Sequence, residues 1–123
     1  PDILFEKDGS CVFCDVITCA APNKSAARQY KNVSDEENSQ ALRSRIRFVL
    51  DIAKENQVDI LILGAYGCGV FGQDAKEVAG IFREYLLSSH QCFDHVIFAI
   101  PKGGNKNFEA FARVFDWKTM ENQ

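Results

Sequence analysis

The sequence predicts an α/β fold with a largely parallel sheet and helices on its faces. Three observations carry this. Short apolar runs alternate with longer amphipathic ones in the order strand, helix, strand, helix, strand, helix, an alternation that implies parallel crossovers. The run Val58 to Leu63 is almost wholly apolar, as a strand buried on both faces requires. It leads directly into a glycine-rich turn and then a helical pattern. With 123 residues the chain suffices for one domain and not for two.

Pro1 to Gly9 reads as an extended lead-in, and a first residue other than Met points to a processed or truncated piece of a longer chain. Cys11 to Cys19 is rich in β-branched and aromatic residues and reads as a strand. Pro22 and Asn23 end it in a turn, and Lys24 to Val33 reads as a surface loop. Ser34 with Glu37 forms a capping box, a helix start that contributes about 1 kcal/mol. Leu42, Ile46, Val49, Leu50 and Ala53 then recur at three- and four-residue steps, so an amphipathic helix runs to about Asn56.

After the Val58–Leu63 strand and its turn, Asp74 with Glu77 marks the next helix, with Val78, Ile81, Phe82, Tyr85 and Leu86 as its apolar stripe. His95 to Ile100 is a further short strand, closed by Pro101 and a Lys-Gly-Gly-Asn turn. A last helix places Phe108, Phe111, Ala112 and Phe115 on one side, and Trp117 is expected to dock it. Three strands make a thin sheet with an apolar edge.

Composition narrows the function. Fourteen Lys and Arg against seventeen Asp and Glu leave a net charge of −3, which gives no general attraction to nucleic acid. No apolar run approaches the roughly 20 residues that span a bilayer. The five cysteines, Cys11, Cys14, Cys19, Cys68 and Cys92, are odd in number and scattered. The Cys11-x-x-Cys14 pair lacks a second ligand pair for zinc, so the thiols read as free, buried and cytoplasmic. His90 and His95 flank Cys92 without further ligands at suitable spacing and read as surface or strand-edge residues. Arg43, Arg45 and Arg47 form a solvated helix face, with Asp51 placed to pair with Arg47. No metal and no cofactor is implied.

The chemistry is concentrated in Gly64-Ala-Tyr-Gly-Cys-Gly-Val-Phe-Gly72. In open α/β sheets, ligands bind outside the carboxyl ends of strands. Glycines 64, 67, 69 and 72 allow positive φ and close approach, and successive amides before a helix N-terminus form an anion nest. The turn lacks the Gly-Lys-Ser/Thr of a P-loop and the spacing of a dinucleotide fingerprint. Tyr66, Val70 and Phe71 are bulky residues among glycines, available to cover a sugar or a base. A plain strand-to-helix connection is the competing reading.

The run Leu61 to Asp74 resembles the phosphate-binding loop of microbial-type poly(ADP-ribose) glycohydrolases, a branch of the macro domains. Val16 to Asn23, the Arg45–Leu50 helix segment, the Val96–Ile100 strand and Asn107-Phe-Glu-Ala-Phe111 fit the same family. The resemblance implies a three-layer α/β/α macro-domain-like fold with a mostly parallel or mixed sheet, of which residues 1–123 form the C-terminal part. It implies ADP-ribose binding, with Gly67, Cys68, Gly69 and Val70 around the diphosphate and Phe71 against the distal ribose. Gly64, Ala65 and Tyr66 complete the loop, and Phe98 and Asn107 border the adenosine.

One departure stands out. The family's catalytic element is a Gly-Gly-Gly turn followed by a Gln-Glu-Glu run, and this sequence contains neither. Glu36 and Glu37 are adjacent but read as a helix first turn, so no catalytic residue is assigned here. The resemblance thus implies the ADP-ribose-holding part of a glycohydrolase, with the acid in an N-terminal half. A non-catalytic reader of ADP-ribose or of ADP-ribosylated protein, and a structural α/β piece without ligand, are the rival readings. Its expected macromolecular partner is the N-terminal half of the same domain or a second copy.

Overall fold

The computed structural model describes residues 2–104 and 106–116; Trp117 lies outside them. The elements run β1 (Asp2–Lys7), β2 (Ser10–Asp15), α1 (Lys24–Tyr30), α2 (Asp35–Glu55), β3 (Ile60–Leu63), α3 (Ala75–Leu86), β4 (His95–Phe98) and α4 (Asn107–Val114). The fold is mixed α/β, as the sequence predicts.

The first departure is at the start. The lead-in is itself a strand, paired antiparallel with β2 from Asp2↔Asp15 to Lys7↔Ser10. Asp8 and Gly9 close the hairpin with φ of 51° and 79°, the left-handed pair that a two-residue hairpin turn requires. The Asp-Gly dipeptide was the available signal. The strand ends at Asp15, short of Cys19. Cys11 and Cys14 are exposed on this hairpin and Cys92 is exposed between α3 and β4, so these three thiols are not buried.

The second departure is α1. Asn23 does not merely turn the chain: its side chain accepts a 2.9 Å hydrogen bond from Ala26 N and caps a seven-residue helix. That helix buries no residue, so it left no apolar period to read.

Helix α2 follows the sequence closely. Ser34 Oγ accepts from Glu37 N at 3.1 Å, and Leu42, Ile46, Val49, Leu50 and Ala53 are all buried. Leu42, Ile46, Leu50 and Ala53 form one core with Leu61, Ala75, Val78, Ala79, Ile81, Phe82 and Phe111. On α4 the core-facing residues are Ala110, Phe111, Val114 and Phe115. Ala112 is exposed, because it stands one residue off that stripe on a 3.6-residue period.

Strands β3 and β4 pair in parallel, Ile62 beside Ile97 and Leu63 beside Phe98. Leu61 is buried on the helical side, but Ile60 and Ile62 are exposed. The strand is therefore covered on one face only, and the described residues supply a single helical layer. The expectation of burial on both faces fails for a physical reason: apolar composition records the need for a cover and not who provides it.

Candidate ligand site at the glycine-rich turn

Residues 64–74 connect the carboxyl end of β3 to α3. Backbone bonds fold the segment onto itself: Cys68 N donates to Ala65 O at 3.0 Å, Gly72 N to Gly69 O at 3.0 Å, and Gln73 N to Gly67 O at 2.9 Å. Ser25 N, in α1, donates to Phe71 O at 3.1 Å and ties the turn to the neighbouring segment.

The four glycines divide into two kinds. Gly67 and Gly72 have φ of 74°, and a side chain there would strike Ala21 and Gln73 in the first case and Ser25 in the second. Their role is to let the turn close. Gly64 and Gly69 do not have positive φ, contrary to expectation, and open space lies beside their Cα atoms. Their lack of a side chain leaves the backbone bare on its outer side.

The amides of Gly67, Gly69, Val70 and Phe71 donate to no partner among the described residues. Three of these are consecutive. A run of unsatisfied amides just before a helix N-terminus is a polarised donor array suited to an anion. Asp74 stands at the N-cap of α3 but makes no side-chain cap bond.

The bulky residues also separate. Tyr66 and Cys68 pack against the core, with Tyr66 Oη donating to Cys19 Sγ at 3.6 Å. Burial, and secondarily that bond, raise the Tyr66 hydroxyl above its ordinary range. Burial, with Asp74 adding to it, pushes the Cys68 thiol up to about 11, so it stays protonated and unreactive at neutral pH. Val70, in contrast, is 91% exposed at the tip of the turn. Ala65 packs on the core and Phe71 is half-buried.

Phe98 lies at the end of β4 with its ring against Phe82, Phe111 and Phe115, at centroid distances of 5.5, 5.2 and 4.7 Å. It builds the floor that sets α3 and α4 against the sheet. Asn107 is the first residue of α4 and lines a cleft of about 570 Å³ together with Gln73, Asp74, Lys76, Lys106 and Arg113. The fold thus brings Asn107 beside Gln73 and Asp74 at the exit of the glycine turn.

Two positioning residues escaped the sequence. Gln73, only 4% exposed, exchanges two 2.9 Å hydrogen bonds with Asn38 of α2. It also donates to Pro22 O at 2.8 Å. A polar residue inside the α2 pattern, Asn38 at a core-facing position, was the one available sign. His90 is likewise not a surface residue. It is 3% exposed, with Nε2 2.6 Å from Asp51 Oδ1 and Nδ1 2.9 Å from Ser89 Oγ. Arg47 does reach Asp51, at 3.8 Å, and His95 is exposed on β4.

No protein-family model matches the chain, and no curated protein sequence does. Solved structures do. Poly(ADP-ribose) glycohydrolase from Deinococcus radiodurans, crystallised with ADP-ribose, is 34% identical and superposes with a TM-score of 0.84 over 95% of this chain. The chain belongs to the microbial poly(ADP-ribose) glycohydrolase family. It spans about half the length of the members it matches, 50% of the Deinococcus chain. The same Deinococcus enzyme without ligand also matches with a TM-score of 0.84. Poly(ADP-ribose) glycohydrolase from Thermomonospora curvata is 39% identical over 77% of this chain and 36% of its own, with a TM-score of 0.68. The glycohydrolase-like fold and the mixed sheet-and-helix architecture are therefore common to all three. Among the described residues no helix is long and apolar enough to cross a membrane.

Proposed function

We propose that this chain binds ADP-ribose and forms the diphosphate-holding part of a poly(ADP-ribose) or ADP-ribosyl glycohydrolase. The observation that carries the reading is the row of unpartnered amides at Gly69, Val70 and Phe71, beside the bare Cα of Gly69. Two phosphates need several donors and close backbone approach, and net positive charge is not required when the donors are fixed. The relationship to an enzyme crystallised with ADP-ribose supports that ligand over other diphosphates.

In this reading Gly67, Cys68, Gly69 and Val70 surround the diphosphate through backbone atoms, and Phe71 lies against the distal ribose. Gly64, Ala65 and Tyr66 shape the strand end beneath it. Asn107 borders the adenosine side from α4, and Phe98 supports that side from below. The contribution to catalysis is positional: a clamped diphosphate holds the ribose linkage where an acid supplied from outside these residues acts on it.

Calorimetric titration of the chain with ADP-ribose, alongside ADP and inorganic pyrophosphate, tests the reading. Saturable binding of ADP-ribose, lost in the Gly69 variant discussed below, is expected. Equal heats for pyrophosphate alone would reduce the site to a bare anion nest, and no binding of any of the three would leave the structural reading.

A further inference from the structure

Two adjoining clefts lie past the exit of the glycine turn. The first, of about 570 Å³, carries Lys76 of α3 with Lys106 and Arg113 on the α4 side. The second, of about 540 Å³, shares Lys106 and adds Lys102 from the segment after β4. Asp74 and Glu109 are the acids on these walls, so four cations stand against two carboxylates. The chain as a whole has the opposite excess, a net charge of −3. A concave wall with an excess of one sign concentrates ligands of the other.

None of the four cations makes an ion pair or a side-chain hydrogen bond among the described residues. Lys102 holds its ammonium over the Phe108 ring, 4.9 Å from the centroid. On α2, by contrast, every positive side chain is occupied. Arg43 pairs with Glu84 and Arg47 with Asp51, while Arg45 and Lys54 bond the carbonyls of Ala20 and Ser89.

Two of the lysines also run against helix electrostatics. Lys76 is the second residue of α3, and Lys106 stands at the N-cap of α4 without a side-chain cap bond. A cation is disfavoured at the positive end of a helix dipole. A local rule broken twice around one cleft points to a use other than stability.

ADP-ribose alone leaves these charges unanswered. In the ADP-ribose reading its two phosphates lie at the glycine turn, and Asn107, on the wall of the first cleft, borders the adenosine. The cations therefore stand around and beyond the adenosine, where unsubstituted ADP-ribose has no negative group.

We propose that the two clefts form a second anion subsite, which takes a phosphate group attached to the adenosine ribose of a bound ADP-ribose. That group is a phosphate ester or the diphosphate of a further ADP-ribose unit joined there. Lys106, common to both clefts, is its central contact, with Lys76 and Arg113 contributing from the first and Lys102 from the second. The inference rests on the ADP-ribose reading of the glycine turn.

The test is calorimetry of the chain with ADP-ribose, with ADP-ribose 2′-phosphate and with a dimer of ADP-ribose joined through the adenosine ribose. At least one substituted ligand should bind roughly tenfold tighter than ADP-ribose at low salt, and the gain should shrink as salt screens the exposed charges. A gain for both assigns the subsite to phosphate in general, for the dimer alone to the next unit of a polymer, and for the 2′-phosphate alone to an ester. Lys102→Ser combined with Lys106→Ser, both at exposed positions, should abolish the gain. Lys7→Ser, on β1 and outside both clefts, should keep it. Equal affinity for the three ligands, or a gain that survives the double lysine variant, would overturn the subsite and leave the ADP-ribose reading standing. Binding of none of the three would overturn both. Lysine-dependent binding of a substituted ligand, with none of ADP-ribose itself, would support the subsite and remove the glycine turn as the primary site.

Discussion

Asn38 and Gln73 lie face to face with both side-chain amides reciprocally bonded at 2.9 Å, buried between α2 and the exit of the glycine turn. The remaining Gln73 hydrogen bonds to Pro22 O. One side chain therefore fastens three segments, and the orientation of the turn depends on it. A pair of this kind is satisfied only as a pair.

Gln73→Leu leaves Asn38 buried without its partner and should destabilise the fold by about 1–3 kcal/mol. Adding Asn38→Leu should recover part of that loss, since two apolar groups then face each other. Urea denaturation of the single and double variants checks the coupling. Affinity for ADP-ribose should stay low in both variants, because neither restores the bond to Pro22.

The two kinds of glycine should part stability from binding. Gly67→Ala places a Cβ 2.7 Å from that of Ala21 at a φ of 74°, so its thermal midpoint should fall. Gly69→Val adds a side chain in open space and should leave the midpoint nearly unchanged. It should nevertheless weaken ADP-ribose binding at least tenfold, about 1.4 kcal/mol. A Gly69→Val protein that binds normally in calorimetry would displace the diphosphate from this turn.

Stability should decline in alkali. In the folded chain the Cys68 thiol titrates at about 11 against an ordinary 9.0, because burial disfavours the thiolate. The unfolded chain loses that proton first, so the contribution is complete below about pH 9 and is lost as pH rises towards 11. The Tyr66 hydroxyl, raised by the same cause, acts in the same direction. Midpoints recorded from pH 7 to 11 should fall less steeply for Cys68→Ser than for the native chain. At pH 7.5 a thiol reagent should modify Cys11, Cys14 and Cys92, all exposed, well before Cys68.

The chain by itself should release no ADP-ribose from polymer or modified protein. Glu36 and Glu37 stand in the first turn of α2 behind the Ser34 cap, where carboxylates serve the helix dipole. Glu36→Gln and Glu37→Gln should each cost only about 0.3–1 kcal/mol of stability and leave ADP-ribose binding intact. Turnover that persists through purification and disappears with either substitution would make these acids catalytic.

Local chemistry was enough for several elements. Ser34 with Glu37 and the α2 stripe each act through neighbours within four residues or so, and those neighbours are written in the sequence. Asp8-Gly9 was equally readable as a hairpin turn. Helix α1 was not, since it is held by the Asn23 cap and by Phe71 O and buries nothing. Tertiary structure alone separated Gly67 from Gly69: the difference is whether Ala21 and Gln73 or open space faces the missing Cβ. It alone set His90 against Asp51, 39 residues away, and joined Asn38 to Gln73. It also left Ile60 and Ile62 exposed on a strand whose composition asks for cover. Hydrophobic and hydrogen-bonding needs belong to a residue and can be read from it, whereas the group that meets them is chosen by the path of the whole chain.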